Sequence, residues 1–138
     1  MAETGESVVI GAYTYASKPD HRDGTSTKSQ WTISVIDEHA CFALGVDSDW
    51  KLGPHSWGLH LIDGTAAYLG RAAVNPGPNM DLCIAFFQLA DTCHGYPSDP
   101  KRSIREIPPD AVRSDWLSKG YLRPAVIRKL GRGLTCKL

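Results

Sequence analysis

Long apolar runs are missing from this 138-residue chain. No stretch approaches the roughly 18 apolar residues that a bilayer-crossing helix needs, so no membrane association is expected. The opening Met-Ala-Glu-Thr-Gly-Glu-Ser has neither a basic start nor an apolar core. A secretory leader is therefore not expected, and a cytoplasmic setting is. Cysteine is scarce: Cys41, Cys83, Cys93 and Cys136, with no C-x-x-C pair. In a cytoplasmic chain such thiols stay reduced and serve as small core residues. Cys83, Cys93 and His94 with a distant fourth ligand match no standard zinc knuckle, so neither a metal nor another cofactor is expected. Catalytic signatures are absent too, with no Walker loop, G-x-S-x-G, H-E-x-x-H or G-x-G-x-x-G. The balance favours a non-catalytic protein, while an enzyme built from dispersed residues would leave no such motif.

What is present fits one domain over residues 1–138. Hydrophobic residues make up 42% and charged ones 22%, a globular composition that excludes disorder throughout. The 15 basic and 15 acidic residues cancel in total but not in distribution. Residues 1–100 hold 5 basic and 12 acidic side chains, and residues 101–138 hold 10 basic and 3 acidic. Such segregation points either to pairing within the fold or to two oppositely charged surfaces. Pairing within the fold is the expectation.

The expected architecture is α+β: an antiparallel sheet of about five strands, then two or three C-terminal helices on one face. Residues 1–75 are mostly β and residues 79–138 mostly helical. Strands are read at Val8–Tyr15, Gln30–Asp37, Cys41–Val46, Ser56–Asp63 and Ala66–Val74, from alternating apolar and β-branched residues. Asp63-Gly64 is a tight-turn pair between the last two. Residues 16–29 carry no large apolar side chain and form a mobile hairpin loop or a binding loop. Leu82, Ala85, Phe86, Leu89 and Cys93 fall on a helical stripe behind Asn79 as cap. A buried strand over 82–87 is the competing reading, because that run is apolar on every side. Two short helices follow. One opens at Pro109-Asp110 and stops at Gly120; the other starts at Pro124, turns Val126, Ile127 and Leu130 inward, and ends at Gly131.

Three functions compete. The leading one is a small binding module without catalytic activity, with a protein as partner. Its contact residues would be Trp50, out of phase with any apolar neighbour, and the flanking acids Asp47 and Asp49. Trp50 could equally fold back over the sheet edge. Asp47-Ser48-Asp49 lacks the glycine and distal glutamate of a calcium loop. The second function is nucleic-acid binding by the helix pair, which resembles a helix-turn-helix in outline and carries Arg123, Arg128, Lys129 and Arg132. The third is an enzyme using Cys93 and His94. Adjacent residues seldom form a productive thiol–imidazole pair, and a helix end followed by Gly95 explains them as well.

Overall fold

The computed structural model describes residues 6–138. Eleven short strands and three helices follow in chain order. The strands are β1 (Ser7–Ile10), β2 (Tyr13–Ala16), β3 (Gln30–Trp31), β4 (Lys51–Leu52), β5 (His55–Gly58), β6 (His60–Ile62), β7 (Thr65–Ala67), β8 (Gly70–Arg71), β9 (Asp81–Leu82), β10 (Ile84–Gln88) and β11 (His94–Ser98). The helices are α1 (Val35–Asp47), α2 (Asp110–Ser118) and α3 (Pro124–Gly131), with 3₁₀ turns at Pro19–His21 and Ile104–Glu106. The strands form not one five-stranded sheet but several antiparallel ones. A four-stranded sheet runs β11-β10-β5-β4, a three-stranded one β3-β8-β9, and β1-β2 and β6-β7 are hairpins.

Strand β10 organises the molecule. Ile84 and Phe86 point to one side, where Trp50, Trp57, Val112, Trp116, Val126, Ile127 and Leu130 form a core beneath α2 and α3. Ala85 and Phe87 point to the other side, into a core with Tyr15, Trp31, Cys41, Phe42 and Leu69 beneath α1 and the first hairpin. A strand buried on both faces has no polar side to show. That is why Leu82–Phe87 reads apolar all round, and why the helix expected there is replaced by β9 and β10.

The strands expected at Gln30–Asp37 and Cys41–Val46 are also corrected. Only Gln30–Trp31 is extended, and one helix takes the rest. Ser34 caps it, its Oγ accepting from the Asp37 amide at 3.1 Å, and Asp37 and Glu38 suit its first turn. Its buried positions are Glu38, Cys41, Phe42 and Gly45, at i, i+3, i+4 and i+7. Gly45 has no side chain because α1 lies directly on β5: a Cβ there would sit 2.2 Å from the Trp57 carbonyl oxygen.

Other expectations hold. Asp63 and Gly64 both have positive φ (52° and 81°) and close the two-residue loop between Ile62 and Thr65. Both C-terminal helices form at their predicted limits, with Val126, Ile127 and Leu130 buried. Cys83 and Cys136 form a disulfide, contrary to the expected free thiols, and it ties the tail to the start of β10. Cys41 and Cys93 remain free and buried. None of the helices among the described residues is long and apolar enough to cross a membrane.

Candidate functional site

The outward face of α3 carries the clearest concentration of unopposed charge. Pro124 starts the helix with its φ already helical and no amide to satisfy. The three inward residues then fix the helix against the core. Arg128, Lys129 and Arg132, spaced i, i+1 and i+4, are left on one exposed face, with Arg123 exposed at its start. None of the four forms an ion pair among the described residues. Arg113 of α2 adds its guanidinium to the far end. A Cβ at Gly131 would meet its Nη1 at 2.2 Å, while its Nε donates to the Pro108 carbonyl at 3.0 Å.

The expected pairing of the basic segment with the acidic body is scarcely seen among the described ion pairs. Of the described ion pairs, one joins the basic segment to the acidic body: Arg102 with Asp99, at 3.7 Å. Arg113–Asp110 and Lys119–Asp115 lie within the segment itself.

Trp50 is placed by the fold as the covering residue, not as a surface anchor. It is 1% exposed, its ring edge-on to Trp116, and its indole N–H donates to Asp115 at 2.7 Å. Asp47 and Asp49 are exposed beside it, and Asp49 faces Lys51 at 3.5 Å. Nothing brings these three together as one contact surface.

Cys93 and His94 are not brought together either. Neighbouring residues of an extended chain point to opposite sides. Cys93 is fully buried, its Sγ 3.5 Å from the Ala90 carbonyl. His94 lines a shallow hollow with Ser17, Lys18 and Thr92 on the opposite side. A buried thiol with no imidazole beside it lacks the arrangement of a nucleophile. The zinc grouping fails as well, since Cys83 is in the disulfide. Among the described residues no three of His, Cys, Asp and Glu are arranged to hold a metal ion.

A cleft of about 250 Å³ lies where residues 21–29 and 99–106 meet β11. His21 stacks on Tyr96, centroids 4.9 Å apart and planes within 16°. The His21 Nδ1 is 2.7 Å from the Ser29 carbonyl oxygen, so Nδ1 carries the proton. Burial holds this imidazole below its usual pKa. Tyr96 also donates its hydroxyl to Glu106 Oε2 at 2.8 Å, and Ser98 donates to Oε1 at 2.5 Å. Glu106 is 7% exposed and pairs with no cation among the described residues. Burial, then the Glu106 charge, push the Tyr96 phenol well above its ordinary range. Asp99, next along the wall, is already engaged by Thr135 at 2.8 Å and by Arg102. The cleft widens past Asp99 and Arg102 into a hollow of about 680 Å³ along Pro76–Pro78. Lys28 lines the inner part and Lys101 the outer, both exposed. Sequence reasoning singled out the 16–29 loop but neither His21 nor Glu106 as partners. No local spacing links a loop histidine to a glutamate 85 positions later, and only the folded β11 joins them.

No protein-family model matches this chain, and no curated protein or solved structure matches it.

Proposed function

We propose that this chain binds nucleic acid through the outward face of α3. The observation that carries the reading is the row Arg128, Lys129 and Arg132: exposed, on one side of a helix, and without acidic partners among the described residues. Cations left free of carboxylates are available to phosphates, and each phosphate neutralised releases condensed counterions. Arg123, exposed at the start of the helix, extends the same surface. A protein partner is less well supported at the acidic loops, because the Trp50 ring is buried there.

Fluorescence anisotropy with labelled duplex DNA, single-stranded DNA and single-stranded RNA tests the proposal. Binding should weaken with salt, with a slope of log K against log salt of about −3 to −4 on duplex DNA. Arg128→Ala/Lys129→Ala/Arg132→Ala should cost tenfold or more in affinity and flatten that slope. Its helical circular dichroism should stay unchanged, because these side chains face solvent. Absence of any complex at low salt would remove the proposal.

A further inference from the structure

We infer that the cleft between β11 and residues 99–106 is a recognition site for an unpaired guanine base. The inference deepens the nucleic-acid reading and rests on it for the polymer, though not for the base itself.

Glu106 sets the chemistry. Its carboxylate is buried, and each oxygen is held by one neutral hydroxyl, from Ser98 and from Tyr96. A carboxylate offers about four acceptor positions, so these two bonds fix its plane and leave capacity on both oxygens. Burying such a group without a cation is unfavourable unless further donors reach it. A ligand with two adjacent N–H groups would meet both oxygens at once. Asp99 differs from Glu106 in already having a cation: Arg102 pairs with it at 3.7 Å, and Thr135 and the Lys101 amide also donate to it.

Among the bases, the Watson–Crick edge of guanine alone presents two neighbouring N–H donors, N1–H and N2–H₂. Adenine and cytosine each place a ring-nitrogen acceptor beside their amine. Uracil and thymine place one N–H between two carbonyls. Against a carboxylate, each of these brings an acceptor where a donor is needed. Tyr96, half-buried at the same wall and stacked on the buried His21, supplies an aromatic contact of the kind unpaired bases use.

Charge at the mouth separates a nucleotide from other donors. An amine or guanidinium would also satisfy Glu106, but Lys28 and Lys101 line the way in and repel a cation. The same lysines suit a phosphate on the sugar side of a bound base. In a duplex the guanine edge is already paired, so occupancy requires a single strand or a free nucleotide.

Calorimetric titration of the full chain with GMP, IMP, AMP and guanosine tests the assignment. GMP should bind at least tenfold more tightly than AMP, and IMP, which lacks the 2-amine, should fall between them. Glu106→Gln replaces one acceptor with a donor and should erase the preference. Lys28→Ala/Lys101→Ala, confined to exposed side chains, should weaken GMP while leaving guanosine unchanged. Oligonucleotides with and without one unpaired guanine then separate a polymer ligand from a free nucleotide. Equal affinity for GMP and AMP, or no binding of either, overturns the inference whether or not Glu106→Gln folds. The α3 triple variant keeps the two readings apart. If the cleft is the base site, that variant retains its GMP preference while losing oligonucleotide affinity. Oligonucleotide binding without any base preference sinks the cleft alone.

Discussion

The indole N–H of Trp50 donates to the carboxylate of Asp115 at 2.7 Å, linking the turn after α1 to the middle of α2 across 65 residues. The donor belongs to a ring that is almost fully buried, and the acceptor also holds Lys119 at 2.9 Å. Removing the acceptor therefore strands a buried N–H. Asp115→Ala should cost about 1–3 kcal/mol. Asp115→Asn, which keeps an acceptor oxygen, should cost less. Urea unfolding followed by Trp fluorescence measures both.

Glu38 is fully buried in α1 and is surrounded by donors. Tyr15 and Ser17 reach it at 2.5 and 2.7 Å, and Arg22 reaches it at 2.8 Å through Nη2. Arg22→Ala leaves a buried carboxylate facing only neutral hydroxyls. The loss should be about 3–5 kcal/mol, because an uncompensated buried charge is costly. A double variant that also replaces Glu38 with Leu should be less destabilised than the two single changes summed. Chemical denaturation of all three proteins decides.

Three histidines bias stability toward neutral pH. Burial holds His21, His39 and His94 below the ordinary imidazole value. Below about pH 6.5 the unfolded chain takes up protons at these positions before the native state does. Stability should therefore rise with pH through that window and decline as pH falls beneath it. At the alkaline end the sense reverses. Tyr15 and Tyr96 are pushed well above the usual phenol range, chiefly by burial and then by Glu38 and Glu106 respectively. Burial likewise pushes the Cys41 thiol up to about 12. The unfolded chain loses all three protons first, so stability should fall from about pH 9 upward. Denaturant midpoints from pH 5 to 11 should trace a plateau with both shoulders. His21→Asn should soften the acid one.

Gly45 allows α1 to lie on the backbone of β5. With a Cβ built 2.2 Å from a carbonyl oxygen that cannot rotate away, Gly45→Ala must push the helix off the sheet. A loss of about 1–3 kcal/mol is expected from such overpacking, even though alanine is the better helix former. A melting temperature equal to that of the unchanged chain would contradict the close approach.

Sequence pattern foretold the parts whose logic is local. Pro124, Gly131 and the inward trio of α3 define a helix by themselves, and Asp63-Gly64 defines a hairpin turn. α1 escaped because two of its four buried positions are Glu38 and Gly45. A stripe of glutamate and glycine does not look apolar, and Cys41, Phe42, Leu44 and Val46 then pass for alternation. The capping arrangement Ser34 to Asp37 was the available signal. At Leu82–Phe87 the pattern was silent for a physical reason, since two cores claim opposite faces of one strand. The cleft depended on long-range closure. Its histidine comes from a polar loop, its tyrosine from a strand, and its carboxylate from a 3₁₀ turn.

The Cys83–Cys136 bond encloses the whole stretch from β10 to the tail, 53 residues apart in sequence. That stretch includes exposed Lys101, Arg102 and Arg105 in the connector before α2. A single tryptic cut there would leave two fragments still covalently joined. They should migrate as one band without reductant and separate once it is added. The nicked molecule would thus keep its basic helix attached to the β-rich body, and a break in the connector need not become a dissociation.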